Sequence, residues 1–112
     1  MTHTVLITKG IVFCLAVLSS SLVLSSESNG TIAEAQSNFN NKCAHCHGRN
    51  GASPISERDL RKLSMRYKEE WKNLAYTTID KGRADSGMPK WGGILPEHEI
   101  RAIIEFLATV QP

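Results

Sequence analysis

Cys43-Ala44-His45-Cys46-His47 constrains this chain more than any other feature. Two thiols three positions apart, with a histidine directly after the second, form the covalent attachment pattern of a c-type haem. The spacing has a mechanical basis. Two thioethers hold the porphyrin edge against one tight turn, and His47 then lies under the ring, where a neutral imidazole nitrogen can bind iron. Other uses of the motif fit less well. A thioredoxin-like redox pair wants a βαβ context, and no alternating strand pattern is present. A zinc site needs a second ligand pair, whereas Cys14 and His98 stand alone. A plain disulfide between Cys43 and Cys46 leaves His47 without a role.

Residues 1–26 read as a secretory signal peptide. One charge, Lys9, precedes an apolar run over 11–24, and the small, polar stretch Ser25-Ser26-Glu27-Ser28-Asn29-Gly30 follows, with cleavage expected near 25–28. The run falls short of the roughly 20 residues of a comfortable membrane span; an uncleaved tether is the alternative. Cys14 would leave with the leader, so both remaining cysteines are committed to haem. C-type haem is attached outside the cytoplasmic membrane in bacteria, so leader and motif support each other and point to the periplasm. Residues 27–112 then form one domain. A chain this short has a thin core, which a large apolar cofactor would largely fill, and the apoprotein is expected to fold poorly. The 13 basic and 11 acidic residues give a net charge of +2; that balance excludes the strong basic bias of nucleic-acid binding.

The remaining pattern is helical. Thr31-Ile32-Ala33-Glu34 has the form of a capping box, and Ile32, Ala35 and Phe39 follow at helical spacing, predicting a helix over 32–41. Residues 48–54 read as a loop. Ser56 could cap a short helix through Leu63, and a longer helix is expected over 67–81, with Trp71, Leu74, Ala75 and Thr78 on one face and Gly82 ending it. After a loop over 83–94, Pro96 is placed at the first position of a last helix, with Glu97 and Glu99 in its first turn and Ile100, Ile103, Ile104 and Leu107 as its apolar stripe, joined by Phe106. No repeat and no strand pattern emerges: the fold class is all-α.

A haem iron held by one histidine needs a second axial ligand or keeps an open site. Met88 is the candidate, a thioether between Gly87, which allows close backbone approach, and Pro89, which stiffens the loop. Met65 is the rival, and a gap-filling core methionine is the plain alternative for either.

With these residues in order, the segment 27–112 resembles the class I cytochrome c family. The small residue and aromatic that the family carries eight and four positions before its first cysteine are Ala35 and Phe39, and the aliphatic–aromatic cluster of its last helix is Ile103-Ile104-Glu105-Phe106-Leu107. The resemblance implies a fold in which the first and last helices cross around one covalent haem c, with Ala35 letting Phe106 approach closely. It implies His47 and Met88 as axial ligands to the iron, and a one-electron carrier rather than an enzyme. It also implies a backbone carbonyl, often a proline's, accepting the other His47 ring N–H; Pro54 is the proline near the motif. Trp71, Arg83 and Trp91 are candidates to line the haem or bind its propionates, the alternative being core aromatics and a solvated arginine. His45 and His98 are expected at the surface.

The stretch from Gly87 to Leu95 looks like small cytochromes that take electrons from periplasmic quinoprotein alcohol dehydrogenases; another respiratory donor, with a terminal oxidase as acceptor, is equally compatible. Such a monomer has redox proteins as partners, with no nucleic acid and no small-molecule substrate. Arg58, Arg61, Lys62, Arg66, Lys68 and Lys72 could form a docking patch or simply a solvated, mixed-charge surface. The competing class is a haem-based gas or peroxide sensor with an open sixth site.

Overall fold

The computed structural model describes Gly10 and residues 27–112; the leader expected over 1–26, Cys14 included, therefore lies outside the described residues apart from Gly10. Among the described residues five α-helices are joined by loops and single 3-10 turns: α1 (Glu27–Lys42), α2 (Ala44–His47), α3 (Leu63–Tyr67), α4 (Trp71–Lys81) and α5 (Glu97–Ala108). Two isolated β-bridges are the only extended pairing described. The chain is all-α, as its periodicity implies.

The core is the meeting of α1, α4 and α5. On α5 the stripe of Ile100, Ile103, Ile104, Phe106 and Leu107 is buried, none of them more than 4% exposed. Helix α1 brings Ala35 and Phe39 to the same cluster, joined by Trp71 of α4 and by Leu95. The Phe39 and Phe106 ring centroids lie 5.5 Å apart with planes tilted by 51°, an arrangement that aromatic quadrupoles favour over a face-to-face sandwich. The packing of the first helix on the last thus follows from two apolar stripes at helical period.

Element ends differ from the sequence expectation in four places, each with a local cause. Within the described residues α1 is already helical at Glu27, so Thr31 lies inside it rather than capping it. A capping residue sets a helix start only where the chain before it cannot be helical, and Ser28-Asn29-Gly30 contains no proline to forbid that. Beyond Ser56 a single 3-10 turn (Ser56–Arg58) replaces the short helix, because Asp59 turns extended and its carboxylate accepts the Arg61 backbone N–H at 2.9 Å. The helix expected over 67–81 is split: Lys68 takes φ 52°, a 3-10 turn spans Lys68–Glu70, and α4 begins with the buried Trp71. The charged run Lys68-Glu69-Glu70 has nothing to bury, so the core does not hold it in one continuous helix with Trp71. Pro96 is the N-cap of α5 rather than its first helical residue; its carbonyl accepts from the amides of Glu99 (3.0 Å) and Ile100 (3.2 Å).

The end of α4 positions the loop that follows. Its last carbonyls would lack partners in an isolated helix. Here Thr78 accepts from Gly82 N (2.8 Å), Ile79 from Trp91 N (3.0 Å) and Asp80 from Gly92 N (2.9 Å), so residues 91–92 are bound to the helix terminus. Gly82 sits at φ 71°, and a Cβ there would meet Lys90 N at 2.7 Å, Pro89 C at 2.8 Å and Met88 O at 2.9 Å. Gly82→Ala is therefore expected to cost at least ~1–2 kcal/mol from the left-handed backbone alone, and more from displacing Met88-Pro89-Lys90. Thermal melting of the haem-loaded protein checks this; a variant melting within a degree of the parent would contradict it.

Candidate haem-binding site

The attachment motif continues the register of α1. Cys43 N donates to Phe39 O at 2.7 Å, so the burial of Phe39 against α5 fixes where Cys43 emerges. Cys43 then opens the single turn of α2: Cys46 N (3.2 Å) and His47 N (2.9 Å) both donate to Cys43 O. Residues at i, i+3 and i+4 of a helical turn are neighbours on one face. Both thiols and the imidazole are thereby presented together, while His45 is turned to solvent. Gly48 ends the turn at φ 75°, where a Cβ would collide with the carbonyl of Ala52.

His47 is oriented through its ring. Its Nδ1 lies 2.8 Å from Arg58 O. A carbonyl oxygen can only accept, so Nδ1 carries the hydrogen and Nε2 is left with its lone pair, the form in which imidazole binds a metal. The accepting carbonyl thus belongs to Arg58, not to Pro54, whose side chain is exposed four residues earlier. Arg58 closes the 3-10 turn that brings the chain back over the motif, and a backbone carbonyl from any residue type can serve there. Asn50, which the sequence analysis did not single out, holds the intervening loop. At φ 55° it donates its N–H to Asn40 Oδ1 (2.8 Å), and its Oδ1 accepts from Asn40 Nδ2 (2.9 Å) and Gln36 Nε2 (3.0 Å). Its signal was present in the sequence, since asparagine directly before a glycine, Asn50-Gly51, is a side chain well suited to left-handed backbone.

The thiols differ. Cys46 is exposed, whereas burial pushes the Cys43 thiol up to about 11, only partly offset by Lys42. Redox-active C-x-x-C pairs depend on a lowered thiol pKa, and at Cys43 burial acts in the opposite direction. Among the described residues no group of three or more His, Cys, Asp or Glu side chains is arranged to hold a metal ion. Beside Arg58, the Asp59 carboxyl is held down at about 2, chiefly by its hydrogen bond from the Arg61 side chain (Nη2 to Oδ2, 2.6 Å). A depressed carboxyl stabilises the fold above its unfolded pKa of 3.8 and loses that contribution as pH falls through about 2. The Asp59–Arg61 contact beside the Arg58 carbonyl is accordingly expected to persist through mildly acidic pH.

The other candidates occupy different settings. Met88 is half-buried in a loop closed by two hydrogen bonds, Arg83 N to Met88 O and Met88 N to Arg83 O, both 2.9 Å. A residue pair that exchanges both bonds projects its side chains to the same side, so Arg83, exposed, shares the face of Met88. Met65 on α3 is 58% exposed. Trp71 is in the buried core, and Trp91 is half-buried against it.

The donor set suits a haem: two thiols and an imidazole on one turn, with the imidazole lone pair free. Several large apolar side chains are also left without protein cover. Ile55, Met65, Tyr67, Leu74 and Ile94 are 39–67% exposed, and Leu74 was expected on the buried face of α4.

Residues 30–107 match the family described as "Cytochrome C oxidase, cbb3-type, subunit III". The chain is also similar to a cytochrome c6 from Tetradesmus obliquus, with 30% identity over 77 residues, covering 68% of this chain and 86% of that protein. No solved structure gives a significant match.

Proposed function

The chain belongs to the family of c-type cytochromes that includes cbb3-type oxidase subunit III, and from that premise we propose that it is a one-haem electron carrier whose iron is ligated by His47 and Met88. As a c-type cytochrome it is a haem-containing electron carrier, and its partners are redox proteins. One observation carries the finer assignment: His47 Nδ1 is committed to the Arg58 carbonyl, which leaves Nε2 as the ligating atom beside the two attachment thiols. The bound group supplies a single-electron Fe(III)/Fe(II) couple, held covalently through Cys43 and Cys46.

The chain's own residues tune and protect that couple. The Nδ1–H bond raises the basicity of His47 and locks its orientation. As an iron ligand the Met88 thioether would favour the reduced state relative to a more basic ligand, giving a positive potential suited to the oxidising end of a respiratory chain. With His47 and Met88 both given to the iron, no position would be left for a substrate, and the protein would act as a carrier and not as an enzyme. Trp91 would help to line the haem and Arg83, on the face of Met88, would bind a propionate, while Trp71 backs them from the core. Pro54 stiffens the loop before Arg58 without supplying the carbonyl.

Residues 27–112 form the single functional domain, exported to the periplasm by a leader over 1–26 or tethered there if the leader is retained. There it works as a monomer between a donor, such as a quinoprotein alcohol dehydrogenase or another respiratory complex, and a terminal oxidase. Short encounters through a small interface suit such transfer. The docking surface is of mixed charge. Arg61 is paired with Asp59, Lys72 with Glu105 at 2.9 Å, and Glu57, Glu69 and Glu70 lie among the remaining cations. Electron-transfer rates are therefore expected to change only mildly with added salt; a steep fall would identify the stretch 58–72 as a steering patch for an acidic partner.

Absorption spectra of the periplasm-expressed protein test the assignment. Sharp low-spin bands, a weak far-red band when oxidised and no response to carbon monoxide are expected. A high-spin spectrum that shifts with carbon monoxide would replace the carrier with a sensor or ligand-binding protein.

A further inference from the structure

Beyond the end of α5, Gln111 makes more tertiary hydrogen bonds than any other side chain of that segment. Its Nε2 donates to Leu60 O at 2.7 Å and to Leu107 O at 3.0 Å, while its Oε1 accepts from Ser64 N at 3.0 Å. The orientation of the amide is unambiguous, because a flip would set Oε1 against two carbonyls and Nε2 against an N–H. One half-buried side chain thus ties the end of the last helix to residues 60–64, about half the chain away.

Leu60 is held from both sides. Its N–H donates to Gly51 O at 2.9 Å, and its carbonyl takes the short bond from Gln111. Gly51 follows Asn50, which is fixed to α1 through Asn40 and Gln36. Two residues before Leu60 is Arg58, whose carbonyl meets His47 Nδ1, and the Asp59–Arg61 turn joins the two positions rigidly. The Leu60 side chain packs against the core that α5 helps to form, but no other hydrogen bond described reaches residues 58–61 from the end of α5: the side chains of Arg58 and Arg61 are exposed, and Arg61 is paired within its own turn.

We infer that Gln111 is a positioning residue for His47, holding through Leu60 the backbone turn whose Arg58 carbonyl orients the imidazole. The inference rests on His47 being the axial ligand and adds to it a second, distant control of that ligand's basicity. Loss of the Leu60 bond frees the turn to move away from His47, and a longer Nδ1–H bond leaves a less basic imidazole.

Proton NMR of the ferrous, diamagnetic holoprotein reads exchange of the His47 Nδ1 hydrogen. Gln111→Met keeps the length of the side chain without its hydrogen bonds. Gln111→Glu keeps an acceptor for Ser64 but, ionised at neutral pH, cannot donate to Leu60. Both variants should exchange that hydrogen about three- to tenfold faster, the range set by one net hydrogen bond, and both should show a more positive reduction potential. Thr109→Val is the control. It removes a 2.6 Å bond to Phe106 O at the same helix end without touching Leu60, and should lower the melting temperature alone. Should Gln111→Met not fold, Gln111→Glu decides. A lower melting temperature with unchanged exchange and potential would overturn the inference, as would equal changes in Thr109→Val. Parent protein without histidine ligation would overturn the axial assignment as well, which separates that failure from this one.

Discussion

Met88→Ala is expected to convert a low-spin, ligand-inert protein into a high-spin one that binds carbon monoxide when reduced. The substitution removes the thioether but leaves the loop closed, because the Arg83–Met88 pairing uses only backbone atoms. Gly82 still packs under the Met88 carbonyl, and Trp91 and Gly92 still bind the end of α4. The change should therefore be confined to the sixth coordination position. Without sulfur the ferrous state loses its preferred ligand, and the potential should fall by a substantial part of the roughly 0.8 V that axial ligation spans. Redox titration with optical detection measures both effects. Met65→Ala, at a 58% exposed position on α3, is the matched control and should leave spectrum and potential unaltered. An unchanged spectrum in Met88→Ala, or a changed one in Met65→Ala, would move the ligand assignment.

Phe39→Ala should produce the largest loss of stability of any single core truncation on α1. Phe39 is 1% exposed and stacks obliquely on Phe106 at 5.5 Å between centroids. Truncating a buried phenylalanine typically costs about 3–5 kcal/mol from lost transfer energy and the cavity left behind. That is a large share of the about 5–15 kcal/mol that holds a typical domain together. For a domain of this size each kcal/mol lowers the melting temperature by about 4–8 °C, so thermal unfolding should shift by well over 10 °C. The effect also reaches the site, since the Phe39 carbonyl receives the Cys43 N–H. A shift of only a few degrees would mean that α1 and α5 are not held together by this pair.

How much of this was legible in advance depends on which atoms carry the information. Side-chain period exposed the apolar stripe of α5 and the Ala35–Phe39 face of α1, because burial selects apolar residues at 3.6-residue spacing whatever the partner. The helical break at Lys68 was hidden. No glycine or proline marks it, and it arises because Lys68-Glu69-Glu70 has no apolar group to anchor while Trp71 does. Thr31 lies inside α1 rather than at its start because a capping box is also an ordinary run of helix-compatible residues. The carbonyl at His47 is that of Arg58 and not of Pro54, since every residue has a carbonyl and residue type carries no signal of its use.

The sequence by itself determined the chemistry and the class of fold: two thiols and an imidazole at helical spacing, a methionine in a stiffened loop, and apolar stripes that could be buried only against one another. Those are side-chain identities, which the local pattern displays. Tertiary structure alone decided which backbone groups meet them. The Arg58 carbonyl at His47, the Gln111 amide at Leu60 and the terminus of α4 holding residues 91–92 are hydrogen bonds between positions far apart or unmarked by type. Backbone donors and acceptors are the same at nearly every residue, so only the folded path of the chain selects which of them is used.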